Sequence, residues 1–191
     1  MRYIDRHGWL CTQPGIRHAP SPNANARPSG IDPYLLVIHN ISLPPNQFEG
    51  DAIIRFFQNQ LDFDAHPWFE HIRGVQVSAH FLIRRDGEII QFVSTLDRAW
   101  HAGQSFFQGK ENCNDFSIGI ELEGADTIPY SDIQYERLAC LTNILSQRHP
   151  LRAVYGHEHI APKRKTDPGP AFDWWRYAKL CQLPLRCFAL D

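Results

Sequence analysis

Two hydrophobic periodicities divide the chain into candidate strands and helices. Residues 34–41 and 116–122 are largely apolar runs of strand length, which is typical of strands covered on both faces of a sheet. Residues 77–84 and 88–93 flank Asp86-Gly87, a dipeptide that readily takes the positive φ angles of a hairpin turn. The pattern predicts a sheet with two central strands and a hairpin.

The clearest helix is predicted for residues 131–149. Ser131 and Gln134 form a capping-box pattern at its start, and Pro150 ends it. Apolar side chains recur between them at helical spacing: Ile133, Leu138, Leu141, Ile144 and Leu145. This stripe is expected to pack in the core rather than to bind a partner.

Shorter elements complete the predicted fold. Residues 51–60 and 172–180 favour short helices, and residues 153–155 favour a last strand. Residues 13–33 contain five prolines, which predicts an irregular strap over the surface. Strands interleaved with helices indicate an α/β fold with a central mixed β-sheet flanked by helices. We expect residues 1–191 to form a single domain, because two cores would leave each half small.

Charge and cysteine content narrow the functional class. A net charge of -2 supplies no broad positive field for nucleic acid or an anionic membrane, so neither partner is expected. No window approaches the roughly 18 apolar residues of a membrane span, and residues 1–10 lack a signal-peptide core. The five cysteines form no Cys-x-x-Cys pair, which favours reduced thiols. A soluble, cytoplasmic protein is expected.

Metal-ligating side chains occur in two places. His39 lies near the end of a predicted central strand, where α/β proteins commonly bind ligands. Residues 155–170 add His157, His159 and Asp167 in a loop stiffened by prolines. Two histidines and one carboxylate leave a tetrahedral zinc with an open position for water, whose pKa the metal lowers. His39, His157 and Asp167 are the simplest set, while a solvated loop with incidental histidines, or His159 as the ligand, stays open.

Two further side chains have candidate catalytic roles. Glu121 falls on the strand face opposite Ile118, Ile120 and Leu122, where it could accept a proton from water. The alternative is a surface glutamate or an ion-pair partner. Lys165 lies on the same side of an extended segment as Asp167 and could stabilise an oxyanion. The alternative is an ordinary exposed lysine.

Five sequence blocks, taken together, resemble a known family. The blocks are LVIHNISLPP (36–45), VSAH (77–80), RAWHAG (98–103), CNDFSIGIELEG (113–124) and RKTDPGP (164–170). In content and order they are similar to the 1,6-anhydro-N-acetylmuramyl-L-alanine amidases, within the type 2 amidase and peptidoglycan recognition superfamily. The resemblance implies hydrolysis of the amide between (1,6-anhydro-)N-acetylmuramic acid and L-alanine, in cytoplasmic peptidoglycan recycling linked to β-lactamase regulation.

The resemblance also implies site residues. It assigns a Zn²⁺ cofactor to His39, His157 and Asp167, the catalytic carboxylate to Glu121 and oxyanion stabilisation to Lys165. His157 is preferred to His159 because the family's Gly-His pair matches Gly156-His157. No organic cofactor is expected.

Substrate contacts implied by the same blocks are Asn40, Trp100 and His101. The alternatives are core packing for Trp100 and backbone hydrogen bonding for Asn40. The chain departs from the family pattern at Gln76 and Asn112, where basic residues are expected to hold the peptide.

Other functions in the superfamily are less well supported. A module that binds peptidoglycan fragments without cutting them would be expected to lack a ligand or the acid/base pair, yet this chain fills every role. A lysin acting on intact wall would be expected to carry an export signal or wall-anchoring repeats. The expected partner is a small muropeptide, bound by a monomer.

Overall fold

A six-stranded mixed sheet organises the chain in the structure, a computed structural model that describes residues 3–190. Met1, Arg2 and Asp191, which belong to the predicted single domain, lie outside the described residues. The strands are β1 (Ile16–His18), β2 (Ala24–Ala26), β3 (Leu35–Ile41), β4 (Phe81–Ile83), β5 (Ile89–Gln91), β6 (Asp97–Ala99), β7 (Phe106–Phe107), β8 (Lys110–Glu111), β9 (Ser117–Glu123) and β10 (Ala153–Gly156). The α-helices are α1 (Ala52–Phe57), α2 (Asp132–Arg148), α3 (His157–Ile160) and α4 (Trp174–Leu180). Short 3₁₀ helices cover Phe63–Ala65, Pro67–Ile72, Cys113–Asp115 and Leu185–Cys187.

The order of strands in the sheet is β1-β5-β4-β9-β3-β10. The four strands β4, β9, β3 and β10 run parallel, while β5 pairs antiparallel with β4 and carries β1 parallel to itself. The strands β2 and β6, and the strands β7 and β8, form two small antiparallel pairs outside this sheet. The carboxyl ends of four parallel strands therefore share one edge of the sheet.

Side-chain alternation along β3 and β9 fills the sheet's two faces. Leu36, Ile38, Ile118 and Ile120 are fully buried on the face covered by α2 and α4. Leu35 and Val37 pack on the opposite face with Ala102, Phe107, Cys113 and Phe116. Apolar side chains on both sides explain why these strands lack the polar alternation of a half-exposed strand. The same alternation turns His39 and Glu121 to the face opposite α2.

Helix α2 begins and ends as its sequence predicts. The Ser131 hydroxyl accepts from the Gln134 amide at 3.3 Å, and the Gln134 side chain accepts from the Ser131 amide at 3.1 Å. Both bonds satisfy backbone donors that a helix start otherwise leaves unpaired. Leu138, Leu141 and Leu145 are fully buried, so the apolar stripe packs in the core as expected.

The α/β fold with a mixed sheet and flanking helices is confirmed, and most differences concern element ends. The predicted hairpin forms around Asp86-Gly87, with Gly87 at φ 86°, but its strands shrink to β4 and β5. Helix α1 covers six residues of the ten predicted. The expectation of an irregular strap at residues 13–33 was wrong in part, because β1 joins the main sheet and β2 pairs with β6. Among residues 3–190, none of the helices combines the length and apolar character needed to cross a bilayer.

Candidate metal centre

The carboxyl ends of three neighbouring strands supply the polar side chains of the candidate site. His39 lies near the end of β3 and is paired in register with Glu121 of β9. His157 follows β10 directly, as the first residue of α3. Because these strands are parallel neighbours, their ends present the side chains at one edge of the sheet. Each of the three residues is more than nine-tenths buried.

Asp167 reaches the same point from a loop that is held by the backbone. Its carbonyl accepts from the Glu158 amide at 2.9 Å, which fixes the loop to the first turn of α3. The next carbonyl, of Pro168, accepts from the side-chain amide of Asn40 at 3.1 Å and from the Tyr130 hydroxyl at 2.7 Å. These bonds orient the Asp167 carboxylate toward the strand ends before any ligand binds.

The three side chains converge through one atom each. His39 Nδ1 and His157 Nδ1 are 3.0 Å apart, and Asp167 Oδ2 is 3.0 Å from the first and 3.1 Å from the second. A tetrahedron with bonds of about 2.0 Å has edges of about 3.3 Å, so this triangle has nearly the size of three zinc ligand atoms. Within residues 3–190 no other group of three metal-ligating side chains comes together in this way. The donor set fits a zinc ion.

Burial and neighbouring charge set the protonation of this group. Burial and the His157 ring lower the pKa of His39 to about 4, so its imidazole is neutral at pH 7. Burial acts to raise the pKa of Asp167, but the close contacts of its carboxylate with the His157 and His39 rings outweigh burial and hold that pKa well below its ordinary value. A neutral imidazole beside an ionised carboxylate is the form in which these groups bind a metal.

The second nitrogen of each imidazole is also hydrogen-bonded. His157 Nε2 donates to the Ala102 carbonyl at 3.0 Å. His39 Nε2 lies 2.9 Å from His101 Nδ1, and the other His101 nitrogen lies 3.1 Å from the Ser117 hydroxyl. Outer partners of this kind orient metal-binding histidines. Both rings are therefore fixed in direction by groups behind them.

Glu121 brings a second carboxylate to the site, and none of the ion pairs formed within residues 3–190 includes it. Burial and the Asp167 charge raise its pKa well above the ordinary value, while Lys165 acts in the opposite direction. No hydrogen-bonding group in residues 3–190 reaches its Oε2 atom, which is buried. A buried carboxylate oxygen without a partner is costly, and it is accounted for where a bound water or substrate supplies the missing bond.

A cavity of about 380 Å³ opens onto these residues. Its polar lining includes His39, Glu121, His157, Asp167 and the exposed Lys165. Its apolar lining includes Ile41, Leu43, Phe56, Phe57, Trp68, Ile72, Val75 and Val77. A largely apolar cavity with a few polar groups is typical of a small-molecule site.

The structure separates His157 from His159 within one short helix. His159 Nδ1 accepts from the Gly156 amide at 2.8 Å, and its ring packs against Trp174. His157 turns into the group with His39 and Asp167. Of the two alternatives left open by the sequence, the structure therefore brings His157 to the candidate site.

The three expected substrate contacts have different surroundings. Asn40 lines the cavity, but its amide nitrogen donates to Asp126 at 2.8 Å and to Pro168. His101 also lines the cavity, behind His39. The Trp100 indole donates to Asn25 at 2.7 Å and is not part of the cavity lining. The structure thus brings two of the three to the cavity, and substrate contact stays a prediction for all of them.

The two positions that depart from the family pattern are exposed and lie outside this cavity. Gln76 lines a small neighbouring cavity formed with Phe56 and Val75. Asn112 has a left-handed backbone with φ 58° and borders a groove beside Arg164. Neither residue contributes to the lining around His39 and Glu121.

Several site residues were missed by reasoning from the sequence. Ala102 contributes a backbone carbonyl, for which no side-chain type is a signal. Asn114 accepts from the amides of His101 and Ala102 at 3.1 and 2.8 Å. At Gly119 an added Cβ would lie 2.5 Å from the His101 ring, so the glycine makes room for that ring. A glycine inside an apolar strand was the available signal, because it often marks close approach by another group.

Comparison with known proteins gives one family and close relatives. The model of the N-acetylmuramoyl-L-alanine amidase family matches residues 29–170, which is more than half of the chain. The chain is 56% identical over 173 residues to the 1,6-anhydro-N-acetylmuramyl-L-alanine amidase AmpD of Enterobacter cloacae, covering 90% of this chain and 91% of the relative. The AmpD of Escherichia coli K12 is 55% identical over 175 residues, covering 91% and 94%.

Solved structures give the same result. A crystal structure of a selenomethionine AmpD derivative superposes with a TM-score of 0.89 at 54% identity, covering 93% of this chain and 98% of that one. A complex of the amidase AmiD from E. coli with the substrate anhydro-N-acetylmuramic acid-L-Ala-D-γ-Glu-L-Lys has a TM-score of 0.56 at 30% identity, covering 81% and 60%.

Proposed function

Because this chain belongs to the N-acetylmuramoyl-L-alanine amidase family, we propose that it hydrolyses the amide between (1,6-anhydro-)N-acetylmuramic acid and the L-alanine that begins the stem peptide. It is an enzyme of that family, and the proposal concerns its substrate, its metal and the roles of its residues. The observation that carries the proposal is the convergence of His39, His157 and Asp167 beside the buried carboxylate of Glu121.

A zinc ion would be held by His39 Nδ1, His157 Nδ1 and an Asp167 oxygen. The near-tetrahedral spacing of these atoms supports this assignment, as does the mixed nitrogen and oxygen donor set. When bound, zinc supplies a Lewis acid that polarises an amide carbonyl and makes water acidic enough to attack near neutral pH. Three protein ligands leave room for that chemistry, since a structural zinc takes four.

Glu121 is proposed as the general base and then the general acid. Its raised pKa suits proton transfer near neutral pH better than an ordinary glutamate would. It would take a proton from the attacking water and return it to the amine that leaves as the new N-terminus of the peptide. The unpartnered Oε2 atom gives this group a free acceptor position.

Lys165 is proposed to stabilise the charge that develops on the carbonyl oxygen. Its side chain lines the cavity with His39 and Glu121 while remaining exposed. An ammonium group beside a forming oxyanion lowers the barrier, because it is already oriented when the charge appears. The charge of the lysine also acts to lower the pKa of Glu121, against the effect of the Asp167 carboxylate.

The cavity is proposed to bind a small muropeptide. Its volume of about 380 Å³ is in the usual range for small-molecule sites. The apolar side chains that line it, Trp68 among them, would cover the less polar side of the sugar, leaving the amide beside His39 and Glu121. Substrate contacts by Asn40, Trp100 and His101 remain part of the proposal.

The setting of the reaction is proposed as well. We infer one catalytic domain over residues 1–191 that acts as a monomer on recycled muropeptides in the cytoplasm. Fractionation of native cells tests the location, and recovery mainly from the periplasm would contradict it.

The decisive experiment follows the substrate by mass spectrometry. Purified protein is incubated with anhydro-N-acetylmuramyl tripeptide as prepared, after treatment with a chelator and after restoration of zinc. We expect free tripeptide in the first and third samples and intact substrate in the second. Intact substrate in the presence of bound zinc would instead support a binding module or another wall fragment as substrate.

A further inference from the structure

Two consecutive residues, His101 and Ala102, contact both candidate ligand imidazoles from behind. The His101 ring lies 2.9 Å from His39 Nε2, and the Ala102 carbonyl accepts from His157 Nε2 at 3.0 Å. Each contact engages the ring nitrogen opposite the one that faces Asp167. A single dipeptide therefore supports both rings.

Asn114 fixes this dipeptide in place. Its side-chain oxygen accepts from the backbone amide of His101 at 3.1 Å and from that of Ala102 at 2.8 Å. Asn114 is itself buried, in the 3₁₀ helix Cys113–Asp115 that precedes β9. One amide oxygen thus sets the position of the two groups that contact His39 and His157.

The two contacts differ in whether the partner atom can donate a hydrogen bond as well as accept one. A carbonyl only accepts, so Ala102 requires a proton on His157 Nε2 and leaves Nδ1 of that ring with its lone pair. An imidazole nitrogen can donate or accept, so the His101 contact leaves the His39 tautomer open by itself. His39 presents Nδ1 as a ligand when its proton is on Nε2 and His101 Nδ1 accepts it.

Ser117 and Gly119 favour that arrangement of His101. When His101 Nδ1 accepts, its proton is on Nε2, which lies 3.1 Å from the Ser117 hydroxyl oxygen, an available acceptor. Gly119 leaves space for the ring, since a Cβ there would come within 2.5 Å of its Cγ and Nδ1 atoms. The ring is therefore restrained by a hydrogen bond at one edge and by the strand backbone at one face.

We propose that His101 is a positioning residue that accepts the proton of His39 Nε2, so that Asn114, His101 and Ala102 together set both zinc-binding histidines in the tautomer that presents Nδ1. The inference rests on the proposed zinc site and deepens it. It assigns His101 a role behind His39, in addition to the substrate contact proposed above.

The outer partners of the two imidazoles include no carboxylate, which has a chemical consequence. Metal-binding histidines often donate to a carboxylate, which increases the basicity of the ligand. Here a neutral imidazole contacts His39, and the backbone carbonyl that contacts His157 also accepts from the Arg164 guanidinium at 2.8 Å, so neither position holds a carboxylate. The two imidazoles would therefore donate less electron density to the metal than imidazoles paired with carboxylates would. The metal would keep more of its strength as a Lewis acid.

The test compares zinc affinity among full-length variants by competition with a chromophoric chelator. His101→Phe keeps an aromatic ring but removes the acceptor, and we expect a loss of roughly 10- to 100-fold in zinc affinity. His101→Asn places an amide oxygen near the position of Nδ1, and it is expected to stay within about threefold of the unaltered protein. Asn114→Ala should weaken zinc binding too, because it frees both backbone amides. Circular dichroism checks folding, and His101→Leu, which also lacks an acceptor, replaces the phenylalanine variant if that variant does not fold.

Nuclear magnetic resonance of the zinc-loaded protein provides a second readout, independent of activity. A slowly exchanging ring proton on His39 Nε2 is expected in the unaltered protein and in His101→Asn, but not in His101→Phe. Equal zinc affinity and equal proton exchange in all variants would overturn the inference while leaving the proposed function intact. Failure of the unaltered protein to bind zinc would overturn both.

Discussion

His39 and Glu121 are register partners on the parallel strands β3 and β9. Their side chains leave the sheet on the same face, toward the cavity, and both are buried. The backbone pairing of the two strands therefore fixes the distance between a candidate metal ligand and a candidate general base. Either residue can therefore be substituted while the other keeps its position in the site.

Replacing Glu121 separates proton transfer from metal binding. We expect Glu121→Gln to retain zinc and to lose turnover by about 10²- to 10⁴-fold, because the amide cannot accept the proton of the attacking water. Zinc content by mass spectrometry and peptide release by chromatography measure the two effects. Glu123→Gln is the matched control, since Glu123 is also buried on β9 but accepts from the Arg85 amide. Full turnover by Glu121→Gln would remove this residue from the mechanism.

Histidines 157 and 159 form a matched pair within α3. His157→Ala is expected to lower zinc affinity by more than the roughly 10- to 100-fold that loss of an outer partner costs. His159→Ala should retain zinc and lose about 1 kcal/mol of stability, because it removes the acceptor for the Gly156 amide. Zinc titration and denaturant unfolding measure these outcomes, and the reverse pattern would reassign the ligand to His159.

Lys165 is expected to act on the rate and not on zinc binding. Lys165→Met should lower kcat by roughly 10²- to 10³-fold, as removal of an oxyanion-stabilising group does elsewhere. The control is Lys163→Met, because Lys163 is exposed in the same loop but does not line the cavity. Steady-state kinetics on purified muropeptide distinguish the two variants. Equal losses in both would indicate a general effect of positive charge on substrate attraction.

Stability should fall on mild acidification because of His149. Burial lowers the pKa of His149 to about 4, and its side chain is 4% exposed. In the unfolded chain the His149 imidazole is protonated below a pH of about 6.5, whereas in the folded chain it is protonated only near pH 4. The free energy of unfolding therefore decreases as pH falls between those values. The loss expected from His149 between pH 7.5 and pH 5 is about 2 kcal/mol.

Urea unfolding of His149→Gln at both pH values tests this contribution. The variant should lose less stability on acidification than the unaltered protein, by about that 2 kcal/mol. His71→Gln, which changes an exposed histidine, is the control and should behave like the unaltered protein. An identical pH dependence in all three proteins would contradict the assignment.

Gly119→Ala should disturb the candidate site through packing alone. The new methyl group would lie within 2.5 Å of the His101 ring, and overpacking of this kind costs about 1 to 3 kcal/mol. The His101→Asn change should relieve part of that cost, because its side chain is smaller. A double-mutant cycle measured by unfolding gives the coupling between the two positions. If the two substitutions had strictly additive effects on the free energy of unfolding, the methyl group at position 119 would not clash with the His101 ring.

The sequence predicted those features that depend on local pattern or on a recognised motif. Strands β3 and β9 and helix α2 follow from apolar runs, periodicity and a capping box. Strands β1 and β2 were not predicted, because each has three residues and is stabilised by pairing with a distant strand. Short strands in a proline-rich segment give too few positions for a period to emerge.

In the candidate site too, some residues could be predicted from the sequence and others could not. His39, His157 and Asp167 could be nominated because their side chains carry the chemistry, and the structure brings them together. The supporting groups act through a backbone carbonyl at Ala102 and an absent side chain at Gly119. Arg27 is a further example, since it donates to the carbonyls of Asn114, Asp115 and Ser117 from within the strap. Such roles depend on tertiary position and not on residue type.

The candidate ligands come from opposite ends of the polypeptide. His39 is 118 positions from His157 and 128 positions from Asp167. A ribosome synthesises the chain from its N-terminus, so β3 is complete long before the strand and loop that supply the other two ligands. A nascent chain that ends before Asp167 holds no complete metal site and cannot draw the extra stability that ligand binding gives a folded protein. Zinc capture would therefore mark the end of folding in this enzyme and would not serve to start it.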